Sequence, residues 1–209
     1  LEIAMSKVVE LKQRGARAKI REAAEKRSLI RLWRDGHEAA SFSGYVAGLG
    51  REFFLLWAIG DYVGFDGLYA LRYKDVSEIE SPDKSAPFLE KAMILRDIKP
   101  EWPTDFELDD IEGVVRSAAK HASVLAVHVD SEGDDEICYV GRLLGFEPDG
   151  FLVQEITPDA EWLREASFFG FEEVSAIGIR GPYHTTLAEV AGTPPDDIRP
   201  FSRDRGSVH

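Results

Sequence analysis

The side chains best suited to nucleophilic or metal chemistry are five histidines (His37, His121, His128, His184, His209) and a single cysteine, Cys138. A structural or catalytic zinc site needs Cys or His pairs at short, regular intervals, and these residues have none. His184, in GPYHTT, stands beside the hydroxyls of Tyr183, Thr185 and Thr186, with Asp159 as a distant candidate carboxylate. A hydrolytic constellation also requires a nucleophile within reach of the base and an acid that orients it. The flanking sequence implies neither. The run DSEGDDE (130–136) is rich in oxygen ligands, but it misses the Asp-x-Asp-x-Asp-Gly spacing and the closing Glu of a calcium loop. It reads as a solvated hairpin turn. Gly48-Leu49-Gly50 opens no helix, so it is a turn and not a dinucleotide fingerprint. No catalytic residue, cofactor-binding residue or metal ligand is assigned, and the chain is read as non-enzymatic.

A second kind of chemistry is stacking. Trp33, Tyr45, Phe53, Phe54, Trp57, Phe65, Tyr69 and Tyr73 could form a platform for single-stranded bases. Only Arg31, Arg51, Arg72 and Lys74 accompany them, so core packing accounts for most of these rings. Trp57 differs, because the residue matching it later in the chain is the polar Gln154. Trp57 is therefore expected outside the deep core, at an interface. The candidate contact set for a partner or RNA is Arg72, Tyr73, Lys74 and Trp57, with Lys19 and Arg21 from the N-terminal segment.

Charge is distributed unevenly. The net charge is -13, yet residues 1–34 hold ten Lys/Arg against four Glu, leaving 15 basic and 34 acidic side chains in the rest. A body that acidic repels phosphate backbones, whereas the basic segment suits an acidic surface or a polyanion. The longest apolar run, Phe53–Ile59, is far short of the roughly 20 residues that span a bilayer. With one cysteine and no signal-peptide pattern, a reducing, cytoplasmic setting without membrane contact is expected. Cys138 is expected as a small buried hydrophobe.

The elements that would position these residues recur. Residues 5–27 have helical periodicity, with Gly15 a weak point. Strands are expected at 29–35, 42–48, 51–59, 68–73 and 76–79, with turns at Asp35-Gly36, Gly60-Asp61 and Asp66-Gly67. The near-continuous apolar strand 51–59 implies cover on both faces. Short helical stretches follow at 86–97 and from a cap at Thr104 or Asp105 to about Ala122, and a last helix is expected at Thr185–Ala191. The order then restarts: SVLAVHVD (123–130) mirrors SLIRLWRD (28–35) at an offset of 95. Cys138-Tyr139-Val140 matches Gly44-Tyr45-Val46 at 94, Phe151-Leu152-Val153 matches Phe54-Leu55-Leu56 at 97, and Glu173–Ile177 matches Asp75–Ile79 at 98. Drift confined to loops is the behaviour of a duplicated unit.

GRLLGFEPDGFLVQEI (141–156) resembles the first motif of Sm-like proteins, in which Gly-x-Leu-x-Gly-Phe-Asp leads to Asn-Leu-Val-Leu, and LRYKDV (71–76) resembles the second, Ile-Arg-Gly-x-x-Val. The resemblance implies a mainly β, α+β fold of two tandem helix-plus-five-strand Sm-like or SH3-like barrels, similar to small uncharacterised bacterial proteins. The Asn and the Arg-Gly of uridine-binding members are incomplete here: Asp149-Gly150 or Phe151 stands at the Asn, Tyr73 replaces the Gly, and Gly170 takes the second Arg position. The implied organisation is a first barrel with its helix (1–83), a helical linker (84–122), a second barrel (123–192) and a mobile tail (193–209). The expected function is a non-enzymatic module without cofactor that binds a protein partner through barrel edges and loops. Single-stranded RNA binding is the alternative, and homo-oligomers through exposed edges are a further expectation.

Overall fold

A computed structural model describes residues 2–34, 41–130, 136–199 and 201, with the side chains of the first helix described from Gln13 onward. Asp35-Gly36, most of the acidic run, His37 and His209 lie outside the described residues. Helix α1 (Glu2–Lys26) leads into strands β1 (Leu29–Trp33), β2 (Ser41–Leu49), β3 (Phe53–Gly60), β4 (Gly64–Arg72) and β5 (Glu78–Glu80), with a 3-10 turn at Tyr73–Asp75. Helices α2 (Ala86–Leu95) and α3 (Ile111–His121) follow. The chain continues through β6 (Leu125–Asp130), β7 (Glu136–Glu147), β8 (Gly150–Ile156), β9 (Trp162–Gly170) and β10 (Val174–Ile179) to α4 (Pro182–Ala191).

The strands form one open, antiparallel sheet in the order β5-β1-β2-β3-β4-β10-β6-β7-β8-β9. This corrects the expectation of two separate barrels: each set of five strands keeps the same internal order, but β4 pairs with β10 and fuses them. The mainly β, α+β class stands. The parallel between the halves extends to irregularities. Register shifts fall at Val46/Gly48 and at Leu143/Gly145, and again at Ala58/Ile59 and at Gln154/Ile156. Gly44 and Gly141 share one constraint, since a Cβ on either would lie 2.3 Å from a carbonyl oxygen, that of Trp57 or of Gln154. These two glycines are demanded by close strand approach. They also correct the offset over β2 and β7, which is 97 and not 94.

Alternation along β3 explains its unbroken apolar run. Phe53, Leu55 and Trp57 face a core shared with α2 and α3, whereas Phe54, Leu56 and Ala58 face Ala16, Ile20 and Ala23 of α1. Each buried Leu or Phe contributes about 2 kcal/mol of transfer free energy. Helices therefore supply the second cover that closure of a barrel was expected to give. Over the second half, Leu187 of α4 packs on Val124, Val140 and Ile156. Helix α3 starts later than expected. Asp110, not Thr104 or Asp105, caps it by accepting a 2.8 Å bond from the Gly113 amide. The preceding segment is held extended, with the Leu108 carbonyl taking the Phe53 amide at 3.0 Å.

Both outer edges are blunted. β5 is only three residues long, and Lys19 Nζ donates to its Ile79 carbonyl at 3.4 Å. β9 is lined by the described residues that follow α4. The Arg199 amide donates to the Arg164 carbonyl at 2.8 Å, Arg199 and Arg164 pair with Glu165 and Asp197, and Phe201 stacks on Phe168. An uncovered strand edge is a template for pairing with another chain. Deleting residues 193–209 should therefore turn a chain that elutes as one species into a self-associating one. Light scattering on gel filtration checks this, and an unchanged mass after the deletion would show that the segment is not what protects β9.

Candidate functional site

The six residues singled out from sequence fall into three environments. Arg72 is 7% exposed. Its Nε donates to the Val174 carbonyl at 3.0 Å and its Nη2 to the Phe171 carbonyl at 2.7 Å, with the guanidinium over the Phe53 ring. Arg72 therefore joins the two halves of the sheet, with its Nε and Nη2 committed to backbone carbonyls. Trp57 is 2% exposed and stacks on Phe65 with ring centroids 4.7 Å apart, which corrects its expected position outside the core. The matching Gln154 is buried as well. It accepts from Arg142 Nε at 2.8 Å and donates to the Leu163 carbonyl at 2.7 Å. A polar residue at an equivalent position therefore did not mark a surface, because its hydrogen bonds were met internally.

Of the remaining four, Tyr73 is itself buried, at 6% exposed, which corrects its expected place in a contact surface. Helix α1 crosses the 3-10 turn, placing Arg17 over the Tyr73 ring at 4.3 Å and Arg21 close enough to act on the Tyr73 phenol electrostatically. Burial pushes the Tyr73 phenol up, against the pull of Arg17 and Arg21. Lys19, Arg21 and Lys74 are exposed. The result is a basic strip on an acidic protein. Arg17 also donates to the Arg51 carbonyl, so part of that charge anchors the helix.

Two features had no sequence signal. The first is the outer face of α2, where Phe88, Ile94 and Leu95 are 65%, 79% and 87% exposed. Phe88 and Leu95 are seven residues apart and lie on one stripe. The second is a cleft of about 360 Å3 at the ends of β2, β3 and β4, reached by β6 and by the start of α2. Arg31, Ser41, Asp61, Asp66, Tyr69 and His128 contribute to its wall. Arg31 Nη2 donates to Ser41 Oγ at 3.2 Å, while Arg31 Nε is buried without a hydrogen bond. Across the cleft, burial and the neighbouring Asp61 raise the pKa of Asp66, partly offset by a hydrogen bond from Tyr62. His128 lies edge-on to Tyr69 and within 3.7 Å of the exposed Cys138 Sγ, so the cysteine is not the buried hydrophobe expected.

His184 sits behind this region. Its Nδ1 is buried with no hydrogen-bond partner, which is not the geometry of a base oriented by a carboxylate. Burial, helped by His128, lowers its pKa from 6.5 to about 4. Among the described residues, no group of three or more His, Cys, Asp or Glu side chains is placed to hold a metal ion, and no helix is long and apolar enough to cross a membrane. No protein-family model, curated protein or solved structure matches the chain.

Two outcomes follow from this geometry. Arg72→Ala should cost about 3 kcal/mol in chemical denaturation, since it strips charge-assisted bonds from two carbonyls at the junction. A loss below about 0.5 kcal/mol would show that the junction does not depend on it. His184 is held neutral in the fold, so only the unfolded chain takes up its proton as pH falls below 6.5. Stability should therefore be unaffected above that pH and decline by roughly 3 kcal/mol at most as pH falls towards 4. His184→Gln should flatten that part of the stability–pH curve, and an unchanged slope would assign the acid sensitivity to other groups.

Proposed function

We propose that the protein is a non-enzymatic, cytoplasmic interaction module that holds a protein partner, and that its contact is the apolar stripe of α2. The observation that carries this reading is the exposure of Phe88, Ile94 and Leu95 on one ten-residue helix. Three large apolar side chains clustered on a soluble surface mark a docking site far more often than scattered ones do. The stripe, with Lys91 between Phe88 and Leu95, has the spacing that an amphipathic helix of another protein reads. Barrel edges were the expected contact, and their blunting favours this helix instead.

The two five-stranded sets are, on this reading, duplicated Sm-like units joined edge to edge. Their shared strand order, matching bulges and matching Gly44 and Gly141 support it. A second reading, binding of single-stranded RNA, draws on the strip formed by Lys19, Arg21 and Lys74, with Tyr73 buried beneath helix α1. Neither Arg72 nor Trp57 contributes to it, because both are buried.

Photo-crosslinking in cells from positions 88 and 95 should give one shared protein adduct that position 74 does not give. Phe88→Glu should weaken that purified partner's binding by more than about tenfold, the loss of a buried aromatic anchor. An adduct with the chain itself, or none from either position, would sink the proposal. Saturable, salt-dependent binding of a uridine-rich RNA that is lost in a Lys19→Glu, Arg21→Glu variant would put the second reading first.

A further inference from the structure

The cleft beside Asp66 carries charge of both signs: Arg31, whose guanidinium lies over the Trp33 ring at 5.3 Å, and the carboxylates of Asp61 and Asp66. Arg31 has no carboxylate partner among the described residues, and its Nε is buried without an acceptor. Its planar edge is suited to an ion that offers two oxygens. On the other wall burial, with a smaller contribution from the neighbouring Asp61, raises the pKa of Asp66. Arg31 forms no ion pair with either Asp, so the two walls stand too far apart to satisfy one another directly. The Phe42 and Tyr69 rings, in contact at 5.1 Å, and the half-buried Leu89 also line the cleft. The volume, about 360 Å3, is within the range of small-molecule sites.

We infer that this cleft binds a small zwitterion with an aromatic side chain, an amino acid or short peptide, whose carboxylate meets Arg31 and whose ammonium meets Asp61 and Asp66. A ligand with both charges bridges two walls that cannot pair with each other. Its ring covers Phe42 and Tyr69, displacing water from apolar surface. The ligand relieves the two unfavourable features at once: an orphaned guanidinium donor and two neighbouring carboxylates. A purely anionic or purely cationic molecule relieves only one. The site lies apart from the exposed stripe of α2, so it stands whether or not that stripe docks a partner.

The test compares L-phenylalanine with phenethylamine, which lacks the carboxylate, and phenylpropionate, which lacks the ammonium, by saturation-transfer NMR and titration calorimetry on the full chain. L-phenylalanine, or glycyl-phenylalanine, should bind at least about tenfold tighter than either half-molecule, the value of one lost charge-assisted contact. Asp61 is exposed, so Asp61→Asn should leave the thermal transition unchanged. It should weaken L-phenylalanine and phenethylamine while leaving phenylpropionate alone. Arg31→Gln should produce the opposite pattern. Equal binding of all three compounds, or no saturation transfer from either zwitterion at millimolar concentration, would overturn the assignment, as would an Asp61→Asn variant that binds all of them as before.

Discussion

The structure depends on the pairing of β4 with β10. Two five-stranded sheets left apart would each expose a flat inner edge, and such edges pair with whatever chain they meet. Joining Leu68–Leu71 to Ala176–Ile179 removes both edges in one step. Arg72 then fixes the seam from its end, because its guanidinium donates to carbonyls on the strand and on the turn before it. Those bonds are charge-assisted and buried, so removing the side chain leaves acceptors that water cannot easily reach. Such a contact is permanent.

The seam also explains why the sheet stops at ten strands. On the second half, Gly170 lies opposite Gly150 as Arg72 lies opposite Phe53. With no guanidinium there, β9 cannot repeat the same joint with another copy. The segment 192–199 uses the vacant edge instead: its Arg199 amide donates to the Arg164 carbonyl, and the Trp162 indole donates to the Gly192 carbonyl at 3.0 Å. At the opposite end β5 is shortened to three residues and partly served by Lys19. The basic residues of α1 are thus divided between holding an edge, stacking on Tyr73 and facing solvent.

What the sequence revealed follows from which constraints are local. Most strand positions were legible because alternation and turn residues are short-range signals, although β9 was not assigned, and β3 was correctly read as covered on both faces. The identity of the cover was not legible, since helix and barrel wall demand the same apolar residues from β3. Closure failed for the same reason: an open sheet and a barrel differ only in which edges pair, and edge pairing leaves little trace in periodicity. That the segment after α4 lies along β9 was not legible, because proline and charge mark both mobile segments and extended ones that follow an edge. The β2 and β7 correspondence was off by three residues because Tyr-Val recurs, whereas the physical requirement there is a glycine facing a carbonyl, met only by Gly44 and Gly141.

Function was less legible than fold for a related reason. Arg72 and Trp57 were singled out as contacts, yet both are buried: Arg72 donates to two carbonyls, and Trp57 stacks on Phe65 while its indole Nε1 has no hydrogen-bond partner. Trp57 and Gln154 occupy matching positions with opposite polarity, and both are buried. One is held by ring stacking and the other by hydrogen bonds to Arg142 and Leu163. Polarity at a position therefore reports which partners the interior offers, not whether the position is interior. The cleft makes the converse point. Arg31, Asp66 and His128 are separated by 35 and 62 residues along the chain and belong to different halves of the sheet. Nothing in their local sequence sets them apart, and only the β4–β10 seam brings His128 to the wall that Asp66 and Tyr69 build. The same joint that removes two unprotected edges thus adds His128 to a cleft whose other walls come from the first half and the start of α2.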